Sequence, residues 1–290
     1  MPFHHCTIIG LGLLGGSLAL DLRRQYPEMA ITGIARRQET LEEAEALSTA
    51  GQPVFSALST ELSAAREADL VVLCTPVQTI LAQIAELATL LSPGTIVTDV
   101  GSTKRAVMNA ATALPAGITF VGGHPMAGSD RKGLSHAQFD LYRGATWALC
   151  IPPGADKAAG RLSELILTLG GVPLPLEPDI HDALVALTSH LPHITAGALA
   201  NVVLGSAYDE AVLPFIAGGF RDSTRIAAAS PAMWRDICLT NRDCILPALD
   251  TLLAELSHWR EAILSGDAPL LEALLTTARD RREALNVTKS

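Results

Sequence analysis

A short apolar run, Cys6-Thr7-Ile8-Ile9, stops at Gly10-Leu11-Gly12-Leu13-Leu14-Gly15 and passes straight into a helix-forming segment, residues 13–24. Three glycines at this spacing restrict what the backbone can do. Gly10 permits a tight turn at a strand end, Gly12 leaves room for a pyrophosphate to approach, and Gly15 lets the helix pack closely on the strand. The unpaired amides and the dipole of the helix N-terminus then favour an anion. Strand, glycines and helix follow in that order ahead of a second strand, which separates the pattern from a chance glycine-rich turn. The expected ligand is a nicotinamide dinucleotide, held by Gly10, Leu11, Gly12, Leu13, Leu14 and Gly15.

Strand-like runs at 30–35, 70–75, 95–100, 118–122 and 146–151 alternate with helical patterns at 39–48, 77–90 and 104–113. That alternation predicts an α/β fold, a Rossmann-type doubly wound parallel sheet with helices on both faces. Residues 172–178 contain three prolines and read as a last strand entering a linker. Strand signals cease there. Asp179 is placed to cap a helix running to residue 187, and residues 196–204, 246–260 and 270–285 have helical periodicity. The expected organisation is a dinucleotide-binding Rossmann domain over residues 1–172, followed by an all-helical substrate and dimerisation domain over 173–290. Residues 194–204 are apolar on more than one face, which points to burial against a second copy in a homodimer.

Composition narrows the partners. With 49% hydrophobic and 18% charged residues, the chain can bury a large core. Its net charge of −9 repels nucleic acid at long range, so an anionic small ligand must meet local arginine or lysine. The apolar run 7–20 lacks the basic flank of a signal peptide, and no stretch reaches the ~18 uninterrupted apolar residues of a membrane span. The five cysteines, Cys6, Cys74, Cys150, Cys238 and Cys244, show no metal-like pairing and are expected as free thiols in a reducing cytoplasm.

The second strand ends at Ala35-Arg36-Arg37, where a dinucleotide site for NAD usually carries an acidic residue. Without that carboxylate, two guanidiniums are free to bind a 2′-phosphate, which favours NADP, with NAD as the alternative. Thr75, ending the strand at 70–75, is expected to bind the dinucleotide at the same edge. His124, in Gly122-Gly123-His124-Pro125-Met126-Ala127-Gly128, is expected on a loop at the carboxyl edge of the sheet, where a neutral imidazole can take a hydroxyl proton. On position alone, a structural histidine is an equal alternative. In Thr98-Asp99-Val100-Gly101-Ser102-Thr103-Lys104, Ser102 is a candidate to bond the histidine or a substrate hydroxyl, and either Ser102 or Thr103 a candidate helix cap. His190 and His193, in Ser189-His190-Leu191-Pro192-His193, have no third ligand nearby and suit hydrogen bonding to substrate or structure rather than a metal. Gly218-Gly219-Phe220-Arg221-Asp222-Ser223-Thr224-Arg225 reads as a glycine-rich loop in which Asp222 pairs with one arginine and leaves the other for a carboxylate.

Together, GLGLLGGSLA, TDVGSTK, GGHPMAG, SHLPH, GFRDSTRIAAASP and MWRDI resemble the TyrA family, the prephenate and arogenate dehydrogenases of tyrosine biosynthesis, over almost the whole chain. The resemblance implies oxidative decarboxylation of a cyclohexadienyl substrate. It further implies that His124 accepts the hydroxyl proton, Ser102 supports it, and Arg225 binds a substrate carboxylate. His193 matches a substrate-pocket position, while Asp222 and Trp234 match positions that shape the pocket across the dimer. No metal is called for. The SHLPH and MWRDI segments lean toward prephenate, whereas the Ala35-Arg36-Arg37 ending resembles NADP-dependent arogenate enzymes. The first strand lies too near the N-terminus for a fused chorismate mutase, and too little follows the helices for an ACT domain, so a monofunctional enzyme is expected. A β-hydroxyacid dehydrogenase is the rival enzyme, but it needs a lysine in the helical half, and residues 158–288 contain none. A non-catalytic dinucleotide sensor gives no reason for HPMAG or the two arginines.

Overall fold

The computed structural model describes residues 1–128 and 131–287. It divides into two compact units, Met1–Arg242 and Asp243–Ser290. The first strand, β1 (His5–Ile9), is followed by α1 (Leu13–Gln25), β2 (Ala30–Ile34), α2 (Gln38–Glu45), a small hairpin of β3 (Ser48–Thr49) and β4 (Gln52–Pro53), and β5 (Ala57–Ser59). Next come β6 (Leu70–Leu73), α3 (Val77–Leu87), β7 (Ile96–Asp99), α4 (Arg105–Ala111), β8 (Thr119–Pro125), β9 (Thr146–Cys150), α5 (Asp156–Thr168) and β10 (Val172–Pro175). Eight strands form one sheet in the order β10-β9-β8-β7-β6-β1-β2-β5.

The central strands are apolar on both faces, as Leu70-Val71-Val72-Leu73 illustrates, because helices cover both sides. Ile8, Leu18, Ile31 and Leu149 belong to a core on one face, and Ile9, Val71, Ile84 and Phe120 to a core on the other. The expectation of a wholly parallel sheet is corrected at one place: β9 runs antiparallel to β8. Among the described residues between them there is no α-helix to serve as a crossover, and the chain returns in the opposite direction. The proline-rich β10 lies at the sheet edge, where missing N–H donors are tolerated.

Beyond the sheet, α6 (Pro178–Val185) continues through one wide turn, Ala186–His190, into α7 (Leu191–Leu204). Pro178 occupies the first turn of α6 and Glu177 its cap position, so Asp179 lies inside the first turn instead of capping it. This 27-residue run has the length and mean hydropathy, 1.2, of a membrane-crossing helix. Its buried His181, Asp182 and His190 are instead engaged in polar contacts within the first unit. Short helices α8 (Asp209–Val212) and α9 (Gly218–Thr224) precede α10 (Pro231–Thr240). The second unit consists of α11 (Arg242–Ser265) from its second residue and α12 (Ala268–Val287), joined at Gly266 and opened by an Asp267 carboxylate that accepts the Leu270 amide.

Candidate functional site

The three glycines take three different burdens. Gly10 has φ +102°, and a Cβ there would come 2.8 Å from the Cys74 carbonyl. At Gly15 a Cβ would stand 2.1 Å from the Gly10 carbonyl oxygen and 3.1 Å from Ile8, so this glycine sets how closely α1 approaches β1. A Cβ at Gly12 would meet nothing within 4 Å. Gly12 caps α1 in extended conformation and borders two cavities that also share Cys74, Thr75 and Pro76. The larger cavity, about 650 Å³, reaches from Gly10 and Leu11 past Ala35 to Arg36 and Arg37. Glu61, which the sequence reading passed over, lines it too. Thr75 donates its hydroxyl proton to Gln83 Oε1 at 2.7 Å on this wall. Leu13 and Leu14 line the second cavity, about 440 Å³, whereas Gly15 lines neither.

His124 and Ser102 border that second cavity together with Met233 and Ile237 of α10. His124 belongs to β8 itself rather than to a loop, because pairing with Ala148 of β9 extends the strand through Pro125. Its Nδ1 lies 2.8 Å from His181 Nε2, and His181 Nδ1 lies 2.8 Å from Asp182 Oδ1. The network assigns the tautomers: a carboxylate only accepts, so His181 donates from Nδ1 and accepts at Nε2. His124 therefore donates from Nδ1, which leaves its Nε2 lone pair as the proton-accepting position. Burial, then the neighbouring His181, Lys104 and His190, push the His124 pKa well below the usual histidine range, so the ring is neutral at neutral pH. Burial works to raise the Asp182 pKa, but the hydrogen bond from His181 and the amides of Lys104 and Arg105 outweigh it and hold the carboxyl ionised.

Those two amides, at 2.7 and 3.0 Å from Asp182, are the first free donors of α4. Asp182 thus caps α4 from another helix, which corrects the expectation that Ser102 or Thr103 does so. Thr103 instead shares a 3.0 Å hydrogen bond with Thr240 of α10, and the Ser102 hydroxyl has no hydrogen-bond partner among the described residues. Sequence reasoning missed His181 and Asp182. The available signal was an adjacent imidazole and carboxylate inside an otherwise amphipathic helix, but nothing in their spacing points to His124, 57 residues away. It also left Asp99 and Lys104 without a role. Both are fully buried, and Lys104 Nζ donates to Asp99 Oδ2.

In the helical part, the Asn241 amide donates to His190 Nδ1 at 3.1 Å and to the Asp182 carbonyl at 2.8 Å. Burial pushes the His190 pKa down to about 4, with Asp182 opposing and His181 and His193 assisting. His193 stacks on Trp234 with ring centroids 3.4 Å apart, and His193 Nδ1 and Trp234 Nε1 are both buried without a hydrogen-bond partner among the described residues. Arg225 and Asp222 line neither cavity. They are exposed and form no ion pair among the described residues, so Asp222 does not pair with an arginine as expected. Their segment is helical rather than a loop, with Asp222 in α9 and Arg225 opening a 3₁₀ turn. Two other cations, Arg131 and Lys132, do line the His124 cavity.

Residues 18–172 match the family model for the prephenate dehydrogenase nucleotide-binding domain, and residues 177–277 that for its dimerization domain. The prephenate dehydrogenase of Bacillus subtilis is 37% identical over 96% of this chain and 75% of its own. The A. aeolicus prephenate dehydrogenase solved with hydroxyphenyl propionate and NAD+ superimposes with a TM-score of 0.86 at 30% identity, over 97% of this chain and 98% of that one. Synechocystis arogenate dehydrogenase gives 0.81 at 30% identity, over 97% and 99%.

Proposed function

The chain belongs to the prephenate dehydrogenase family, and from that premise we propose that it oxidatively decarboxylates prephenate or arogenate in tyrosine biosynthesis. The carrying observation is the chain His124–His181–Asp182, which presents one accepting nitrogen to a cavity continuous with the open face of Gly12. A dinucleotide fits the residues present: space without a Cβ at Gly12, free amides at the start of α1, and a long cavity ending at Ala35-Arg36-Arg37. The chemistry supplied by the bound dinucleotide is acceptance of hydride at its nicotinamide ring.

His124 Nε2 takes the proton of the ring hydroxyl as hydride leaves the same carbon. The resulting imidazolium is stabilised through His181 by the Asp182 carboxylate, the same support that a buried acid gives a catalytic histidine elsewhere. Loss of the ring carboxylate as carbon dioxide completes aromatisation. Ser102, which lines this cavity and whose hydroxyl has no partner among the described residues, is assigned to supporting the substrate oxygen. His193 and Trp234 are assigned to the substrate pocket, because two desolvated, unpaired nitrogens cost stability unless a polar ligand meets them. His190 is assigned to holding that cluster beside the relay, and Arg225 to a substrate carboxylate. Arg225 lies outside the cavity of its own protomer, which a pocket shaped across a homodimer, with Asp222 and Trp234, accommodates.

That homodimer is inferred from the match to a dimerization domain and from exposed Leu253, Leu256, Ile263 and Leu264 on α11, and we place the functional boundary at residues 172/173. A cytoplasmic setting suits the free cysteines. NADP is assigned over NAD because Arg36 and Arg37 stand at the rim of the larger cavity beside Ala35. Glu61 on the same cavity opposes a 2′-phosphate, so the preference requires two guanidiniums to outweigh one carboxylate. The test is turnover by the purified protein with each substrate and each dinucleotide. No turnover with either substrate would reject the function, and a lower Michaelis constant for NAD would reject the cofactor assignment alone.

A further inference from the structure

We propose that Lys104 and Asp99 are positioning residues that hold His124 in register with Ser102 and keep its free nitrogen available to the substrate hydroxyl. The proposal rests on His124 being the proton acceptor of the reaction proposed above. Neither residue borders a cavity, and both are 0% exposed. Asp99 ends β7. Its Oδ1 accepts the amide of Gly123, the residue before His124, at 3.0 Å, and its Oδ2 accepts the amide of Gly101, the residue before Ser102, at 2.9 Å. One carboxylate therefore ties the backbone of the proton acceptor to the backbone of the serine beside it.

Lys104 closes the circuit from the other side. Its Nζ donates to Asp99 Oδ2, while its own amide donates to Asp182 Oδ1, the oxygen that also accepts His181 Nδ1. The contacts run from Asp99 to Lys104, to Asp182, to His181, to His124, and through Gly123 back to Asp99. His124 is the member that borders the cavity.

A buried ion pair is an expensive filling for such a place, because apolar residues of similar volume are often as stabilising or more so. The charges have a use in the reaction. Asp99 and Asp182 carry two negative charges against one ammonium, so the ring becomes neutral when His124 receives its proton. Before that, the ammonium discourages protonation of His124. The other ionisable groups around His124 are His181 and Asp182 from α6, His190 from the wide turn, Asp99 from β7, and Arg131 and Lys132 across the cavity.

The test uses Lys104→Met and the double variant Asp99→Asn/Lys104→Met, which removes both charges and leaves no unpaired ion. The readouts are kcat, the Michaelis constant for substrate, dinucleotide affinity, and the ring titration of His124 by carbon NMR, assigned by its absence in His124→Asn. In the double variant kcat should fall roughly 100-fold with little change in the Michaelis constant or dinucleotide affinity. In Lys104→Met the His124 titration should move up by about one pH unit or more, whereas the double variant, which removes one charge of each sign, should leave it near the wild-type position. A folded double variant with wild-type kcat overturns the proposal, and so does a folded Lys104→Met with the His124 titration unmoved, since that marks a merely structural pair. A wild-type measurement needs no variant to fold: the Lys104 Nζ resonance should shift as His124 titrates, and no shift overturns the coupling. Should the wild type turn over neither substrate, the proposed reaction fails while both titrations still decide the brace.

Discussion

Gly12 and Gly15 sit three residues apart in one motif, and the structure assigns them opposite responses to the same added methyl group. At Gly15 the new Cβ would lie 2.1 Å from a backbone oxygen, where ordinary contact begins near 3.4 Å, so α1 and β1 must separate by about an ångström. Neither partner is a flexible side chain, and overpacking of this kind costs about 3 kcal/mol or more. For a chain of this size that corresponds to a melting temperature lower by roughly 6–12 °C. At Gly12 the backbone is extended, with φ −110° and ψ −157°, and nothing stands within 4 Å of the new atom. Gly12→Ala should leave stability within about 1 kcal/mol. Its methyl group occupies the space expected for pyrophosphate, so dinucleotide affinity should drop about 10- to 100-fold, equivalent to about 1.4–2.8 kcal/mol. Thermal unfolding of the free proteins and calorimetric titration with NADP and NAD separate the two. The reasoning is refuted if Gly12→Ala binds both dinucleotides as the wild type does, or if Gly15→Ala melts at the wild-type temperature.

Removing the proton acceptor with His124→Asn should lower kcat by about 10²–10⁴-fold while dinucleotide affinity persists; near-normal turnover would exclude it as the base. Asp182→Ala strands the buried amides of Lys104 and Arg105 as well as His181 Nδ1, so urea unfolding should show a loss of about 2–4 kcal/mol, accompanied by a fall in kcat. The unfolded chain protonates His190 near pH 6.5, but the folded protein resists until about pH 4, so its contribution is complete above 6.5 and is lost as pH falls toward 4. The loss approaches roughly 3 kcal/mol, and His190→Gln should flatten that part of the stability–pH curve. Arg225→Ala should raise the Michaelis constant for substrate by an amount near ~2–4 kcal/mol, with kcat much less affected.

Local chemistry made the sheet readable from the sequence. The β1–Gly10–α1 unit, the alternating strands and the proline-rich edge strand are encoded within short windows, and their ends fall within a few residues of expectation. The antiparallel return into β9 is not local, and it alone draws His124 into a strand. Within the site, Ser102 and His124 were legible because both lie at the carboxyl ends of strands on the same sheet edge, Ser102 three residues past β7 and His124 within β8. His181 and Asp182 were not, since their importance arises only when α6 docks on α4. Asp99 and Lys104 lay in plain view within TDVGSTK, yet a buried lysine cannot be told from a solvated one without its surroundings. Glu61 was hidden in the same way, a surface-like acid that the fold brings to the cavity of Arg36 and Arg37.

Asp182 closes the N-terminus of α4 and also ends the relay behind His124. Those two duties couple the packing of α6 to the state of the His124 ring. The Gly12 face belongs to the start of α1, whereas the His124 ring takes its tautomer from a residue of α6. The contact that closes the α4 amides also fixes which His124 nitrogen carries the proton. A change that loosens α6 should therefore appear first as lost turnover in protein that still binds dinucleotide.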